Sequence, residues 1–291
     1  MEQMLKIVVG GTLKVTIILL MVSLGLQSTR QDLFFLWRRP SLLFRCLIAA
    51  FVVVPVAAYL ALQLLPLTFE DKVGLWVVAI APGAPMIYRT ALSRELGDHV
   101  LAASFQITVA LLVIVFAPIW LAFISLRSGE DYWIPPVVVA KQVFTIQVIP
   151  ILAGLMIHHL LPTFAERLKN IIIKICNPIL VLLIVVLLIA FGPRVVESAE
   201  LWRILAAAVV AVAAIAGGHY LAGPEPSWRV IIANANVQRN PGLALLIAAW
   251  NLPEKKTATI VAILTYVVIS LTIAAVYTSI YRKRITPNNP I

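Results

Sequence analysis

Lys14, Arg89, Lys141 and Arg239 lie inside hydrophobic stretches of the chain, and the thirteen Asp and Glu residues fall in segments that pattern as links or tails. An ionisable group at membrane depth costs roughly 2.5–3.5 kcal/mol on insertion scales, so by default it marks a substrate or ion pathway. A region that is positive only favours an anion and repels sodium. Arg89 and Arg239 stand beside Pro/Gly breaks, Ala81-Pro82-Gly83-Ala84-Pro85 and Asn234-Ala235-Asn236-Val237-Gln238-Arg239-Asn240-Pro241-Gly242. The planar fork of Arg239 suits a bidentate carboxylate, sulfonate or phosphate; capping carbonyls freed by a helix break is the other role open to it. Arg89 either snorkels to the interface or, if its helix bends at Pro82–Pro85, faces the same point. Lys14, near mid-span in the first helix, and Lys141, close to the start of the fifth, have stems long enough to snorkel as well. The amides Asn234, Asn236, Gln238 and Asn240 can serve exposed backbone groups or read substrate oxygens. Tyr88, Gln106 and Thr108 complete the substrate-lining candidates, and Pro82, Gly83, Pro85, Pro241 and Gly242 make the breaks.

The elements that must position these residues are membrane helices. The chain is 62% hydrophobic and 12% charged over 291 residues, with mean hydropathy +0.99, whereas soluble domains carry about a quarter charged residues. A helical span needs about 20 largely apolar residues. Nine can be drawn, at about 5–26, 41–65, 73–94, 100–126, 135–160, 171–191, 201–221, 229–250 and 256–281. The links leave no room for a second domain, so 1–291 reads as one all-α polytopic membrane domain. The first apolar run lacks a small-residue cleavage site and is taken as a span rather than a signal peptide.

With the N-terminus outside, twelve of the 23 Lys and Arg residues fall on cytoplasmic links and seven on external ones, the other four being the intramembrane set. That bias sets the N-terminus outside and the C-terminus cytoplasmic, in a plasma or bacterial inner membrane. The net charge of +10 is then a property of loops facing an anionic leaflet, not of a nucleic-acid surface. Cys46 and Cys176 sit in apolar runs 130 positions apart and read as buried free thiols. No nucleophile–His–Asp arrangement, Walker loop or metal motif occurs, so neither an enzyme nor a cofactor or metal protein is expected.

Helix breaks survive in hydrocarbon only where protein or a water-filled cavity satisfies the freed backbone groups. The two breaks fall in spans three and eight, five spans apart, so these helices cross the membrane in opposite directions. Paired broken helices in inverted halves point to a secondary transporter with a midplane site.

The surroundings of the breaks resemble the bile acid:sodium symporter family. Ala81-Pro82-Gly83 followed by Leu96-Gly97-Asp98 is similar to its first crossing motif, and Asn240 with Gly242-Leu243-Ala244 to the end of its second; Leu24-Gly25-Leu26 with Arg38-Arg39-Pro40 resembles the start of its first half. The resemblance implies inverted repeats in a nine-helix form, with spans three and eight crossing. It implies a core of roughly 41–126 and 199–282, a panel of roughly 5–27 and 135–191, and a substrate crevice between them.

The departures bear on coupling. Ile87 and Tyr88 stand where the family has Ser-Asn, Ala235 where it has a sodium-binding Glu, and Arg239 in place of the following Gln, while the Ser/Thr cluster of the fourth span thins to Ser104, Gln106 and Thr108. A hard cation wants several oxygen ligands, carboxylate among them. At about 6 Å and an effective dielectric near 20, an Arg repels sodium by roughly 3 kcal/mol. The expected function is transport of a small organic anion by alternating access without the family's usual sodium site. The alternative is a membrane receptor or scaffold that kept the fold and lost transport.

Overall fold

The computed structural model describes residues 2–83, 98–128, 134–197, 201–251 and 256–285. Among these, the regular structure is entirely helical. Helix α1 (Glu2–Gln27) leads through the short α2 (Arg30–Phe34) to α3 (Pro40–Leu64) and α4 (Phe69–Ala79). After the first break come α5 (His99–Ser128), α6 (Pro136–Leu160), α7 (Pro162–Glu197) and α8 (Leu201–Leu221). Helices α9 (Pro226–Val237) and α10 (Pro241–Asn251) flank the second break, and α11 (Lys256–Ile285) ends the fold.

Six helices among the described residues are long and apolar enough to cross a membrane, within 10–27, 40–64, 99–127, 136–160, 201–221 and 257–281. They coincide with predicted spans one, two, four, five, seven and nine. Spans three and eight deliver shorter pieces because the chain breaks inside them: α4, α9 and α10 have 11, 12 and 11 residues. Predicted span six lies within α7, which begins at Pro162, so the link before it is helical too. Large apolar side chains such as Leu64, Leu126 and Leu182 point away from the protein. An apolar exterior on that scale fits lipid rather than water.

Two of the spans share a construction. Helix α3 begins with Pro40, passes through a π-helical turn at Ala49–Val53 and then meets Pro55; α6 begins with Pro136, turns π-helical at Phe144–Val148 and then meets Pro150. Proline has no N–H, so carbonyls one turn earlier lose a donor. In α3 the orphaned Phe51 carbonyl accepts a hydrogen bond from the Trp120 indole at 2.6 Å. That indole belongs to an aromatic cluster, in which Tyr59, Trp76 and Phe123 make edge-on contacts and Phe51 stacks on Phe116 at 4.3 Å. The cluster fastens α4 to α3 and α5.

Small residues bring other helices close. A Cβ on Gly25 of α1 would collide with the Ile151 carbonyl of α6, and one on Gly154 with the Val22 carbonyl of α1. Gly74 lets α4 approach Ala262 of α11, and Gly218 lets α8 approach Ala233 of α9. Such contacts replace the hydrophobic drive that helices in lipid lack. Both cysteines are free and buried.

One expectation is overturned. Asp71 is not in a link: it is 2% exposed, in the first turn of α4, and forms a salt bridge with Arg203, itself buried in the first turn of α8. The Arg203 Nε donates to Oδ1 and Nη2 donates to Oδ2 at 3.2 Å. Charge counting along the sequence separates these residues by 132 positions, and only the packing of α4, α8 and α11 brings them together.

Candidate functional site

Helix α4 stops where its donors stop. Pro82 offers no N–H to the Val78 carbonyl, so Ala81 N turns back onto it at 3.1 Å, and Gly83 takes φ +88°, a left-handed conformation that suits glycine. The same glycine keeps its backbone against α5, where a Cβ would lie 3.3 Å from Val109 Cγ2 and 3.5 Å from Ala110. Pro85, Tyr88 and Arg89, the remaining candidates of the first break, lie outside the described residues.

The second break has a different cause. Helix α9 ends at Val237, with Gln238 N returning to Asn234 O at 3.1 Å. Asn240 then caps the next helix, its Oδ1 accepting from Leu243 N at 3.0 Å, and Pro241 is the first residue of α10. Proline suits that position because its missing N–H is one of the orphans of any helix start. Pro241 therefore starts a half-helix, and the gap between α9 and α10 is only Gln238, Arg239 and Asn240.

The two breaks meet. Asn240 N donates to Ala81 O at 2.8 Å, and its Nδ2 lies 3.4 Å from Gly83 O and 3.5 Å from Gln147 Oε1. Arg239 is 3% exposed. Its Nη1 and Nη2 each donate to Ala50 O at 3.2 Å, Nη2 also donates to Ala79 O, and Nε reaches Val78 O at 3.5 Å. Tyr266 of α11 donates to Val237 O at 3.0 Å and steadies the end of α9. Among the described residues, every hydrogen-bond partner of the guanidinium is thus a main-chain carbonyl: Ala50 in the π-helical turn, and Val78 and Ala79 at the end of α4. Carbonyls solvate a cation without cancelling its charge, so the crossing keeps a formal positive charge.

The other predicted residues divide. Asn236 is fully buried and neither atom of its amide has a hydrogen-bond partner among the described residues, and the Thr108 hydroxyl, 2% exposed, has none among them either. Gln106 is buried and Gln238 half-buried. Asn234 is engaged, donating to Val230 O at 2.9 Å and accepting from Thr278. Ser104 accepts from Leu36 N at 3.0 Å. Gly242 packs beneath Ile17 of α1, whose Cδ1 would be 2.5 Å from an added Cβ. Lys14 is exposed and lies 5.2 Å over the ring of Trp250, at the far end of α10 from the break. It is therefore one helix length away from Arg239, not beside it. Lys141 is exposed.

Sequence reasoning missed Gln147. It is fully buried in the π-helical turn of α6, donates to Ala110 O at 2.8 Å and faces Asn240. A Gln three residues before Pro150 in an apolar span was the available signal, since π-helical turns concentrate at functional sites. A separate cavity of about 530 Å³ lies between the ends of α1 and α6, where Ser28, Thr29, Phe34, Met156 and His158 line it. His158 Nδ1 is 2.7 Å from Leu26 O there. None of the lining residues belongs to the crossing.

A sequence model described as the sodium bile acid symporter family matches residues 14–198. The match includes the first break and stops before the second. No curated protein matches the chain. Since the match covers more than half of the 291 residues, this multi-pass α-helical membrane protein belongs to the sodium bile acid symporter family.

Proposed function

We propose that the chain is a secondary transporter that moves a small organic anion by alternating access and does so without the family's usual sodium site. The observation that carries this is the buried guanidinium of Arg239 at the meeting point of the two breaks, bonded among the described residues to carbonyls and not to a carboxylate. At about 6 Å and an effective dielectric near 20 such a charge attracts a monovalent anion by roughly 3 kcal/mol and repels sodium equally. Ala235, 1% exposed, offers no oxygen where the family holds its Glu. Asn236 and Thr108 supply unpartnered polar atoms, and Asn240, Gln238 and Gln106, with Arg89 and Tyr88, complete the proposed lining. Lys14 acts at the outer mouth.

The proposed architecture is nine spans in inverted repeats, with the N-terminus outside. The core is 41–126 and 199–282, and the panel 5–27 and 135–191. Packing supports the division. Glycine-mediated approaches join α1 to α6 within the panel, and α4 to α11 and α8 to α9 within the core. Between the two bodies the contacts include side chains that can part, Lys14 over Trp250, Asn251 Nδ2 on Gln142 Oε1 at 3.1 Å and Asn240 on Gln147 at 3.5 Å, beside the closer approach of Gly242 to Ile17 and the bond of Gln147 to Ala110 O.

The hydrogen bonds of Arg239 also suit a second function, a receptor or scaffold whose crossing is fastened shut. Proteoliposome uptake of labelled organic anions separates the two. Transport predicts saturable accumulation inside the vesicle, and uncharged analogues should be excluded. Saturable binding without accumulation would support the receptor instead.

A further inference from the structure

We infer that Ala50, Val78 and Ala79 form a cation seat that the chain fills with its own guanidinium. The seat is written into the sequence by two prolines. Ala50 lies in the π-helical turn just ahead of Pro55, and Val78 and Ala79 close α4 just ahead of Pro82, with Val78 O also accepting from Ala81 N at 3.1 Å. The three oxygens belong to two different spans and converge on one point. Main-chain carbonyls at the end of a helix carry partial negative charge, and buried ones without a donor are costly. Arg239 answers both needs: its Nε, Nη1 and Nη2 reach all three oxygens, and 3% exposure leaves water little part in solvating them. Asn240 closes the neighbouring carbonyls of Ala81 and Gly83 in the same way. The second break thus supplies, covalently attached, the positive ligand that the first break requires.

A seat of this kind binds the free guanidinium ion once its tethered occupant is removed, because a guanidinium presents several N–H donors to the three carbonyls at once and a spherical cation presents none. The consequence for coupling rests on the transport function proposed above: a cation that never leaves cannot be released in each cycle, so it cannot couple a gradient. The seat itself is tested without transport.

The full-length Arg239→Gly and Arg239→Ala variants are purified in detergent and melted in low-millimolar guanidinium, sodium or choline chloride at equal ionic strength. Both variants should melt below the wild type. Guanidinium at about 100 times its dissociation constant should raise their melting temperature by about 5–10 °C, saturably, and leave the wild type unmoved. Equal responses to guanidinium and choline, or the same rise in the wild type, would overturn the inference. If neither variant can be purified, Arg239→Lys and Arg239→Gln decide it. The Lys variant should melt above the Gln variant, since a charge remains in the seat; equal melting would overturn the inference. Sodium-dependent uptake by the wild type would remove the transport function as proposed and leave the guanidinium result standing.

Discussion

Breaking the Asp71–Arg203 pair should be among the most damaging changes outside the crossing. Asp71 is 2% exposed, the Arg203 side chain 10%, and two hydrogen bonds join them. Removing one partner of a buried pair costs about 3–5 kcal/mol, because the other charge is left in a low-dielectric site. The two halves of the pair are not equivalent. Both lie in first turns, where the helix dipole favours an anion and disfavours a cation by about 0.3–1 kcal/mol. Arg203→Met therefore leaves an anion that the dipole of α4 still favours, whereas Asp71→Leu forfeits that favourable placement. The double replacement Asp71→Leu/Arg203→Met should return to within about 1 kcal/mol of the wild type, since a buried pair exchanged for apolar groups is close to neutral. Unfolding of the full chain in mixed micelles, followed by Trp fluorescence, measures all four corners of the cycle. Additive losses in the double variant would show that the residues do not interact and would refute the placement of α4 against α8.

Three further outcomes follow from packing and polar satisfaction. Gly154→Ala should destabilise by about 1–3 kcal/mol, because the new Cβ meets the Val22 carbonyl rather than a movable side chain, whereas Gly11→Ala, with nothing within 4 Å, should be neutral in thermal melts. Trp120→Phe should cost about 1 kcal/mol by leaving the Phe51 carbonyl without a donor beside Pro55, and the loss should vanish if Pro55 is changed to Ala in the same chain. Asn236→Leu should leave thermal stability unchanged or improved, as its amide has no hydrogen-bond partner among the described residues, and should weaken anion binding by about tenfold, worth about 1.4 kcal/mol. Unchanged affinity in a calorimetric titration would remove Asn236 from the binding site.

Much of the architecture could be read from composition. The long apolar runs and their links gave the six uninterrupted spans to within a few residues, because bilayer thickness fixes helix length and apolarity needs no tertiary context. Breaks were legible too, since proline and glycine act locally. What each break does was less so: Pro241 looks like a helix breaker on paper, yet Asn240 caps the helix it begins. The two roles left open for Arg239 could not be separated without knowing which carbonyls face it, and those belong to residues 160 and 189 positions away. Asp71 and Gln147 escaped for the same reason. A carboxylate near a predicted link and a Gln in an apolar span acquire meaning only from partners that chain order does not reveal.

The most direct test of the central claim is the initial rate of organic-anion uptake into proteoliposomes of the wild-type chain, with and without an inward sodium gradient, choline replacing sodium. With the Arg239 guanidinium as fixed cation and no carboxylate bonded to it among the described residues, the two rates should agree. A rate about tenfold higher in sodium, equivalent to about 1.4 kcal/mol of coupling, would contradict the account.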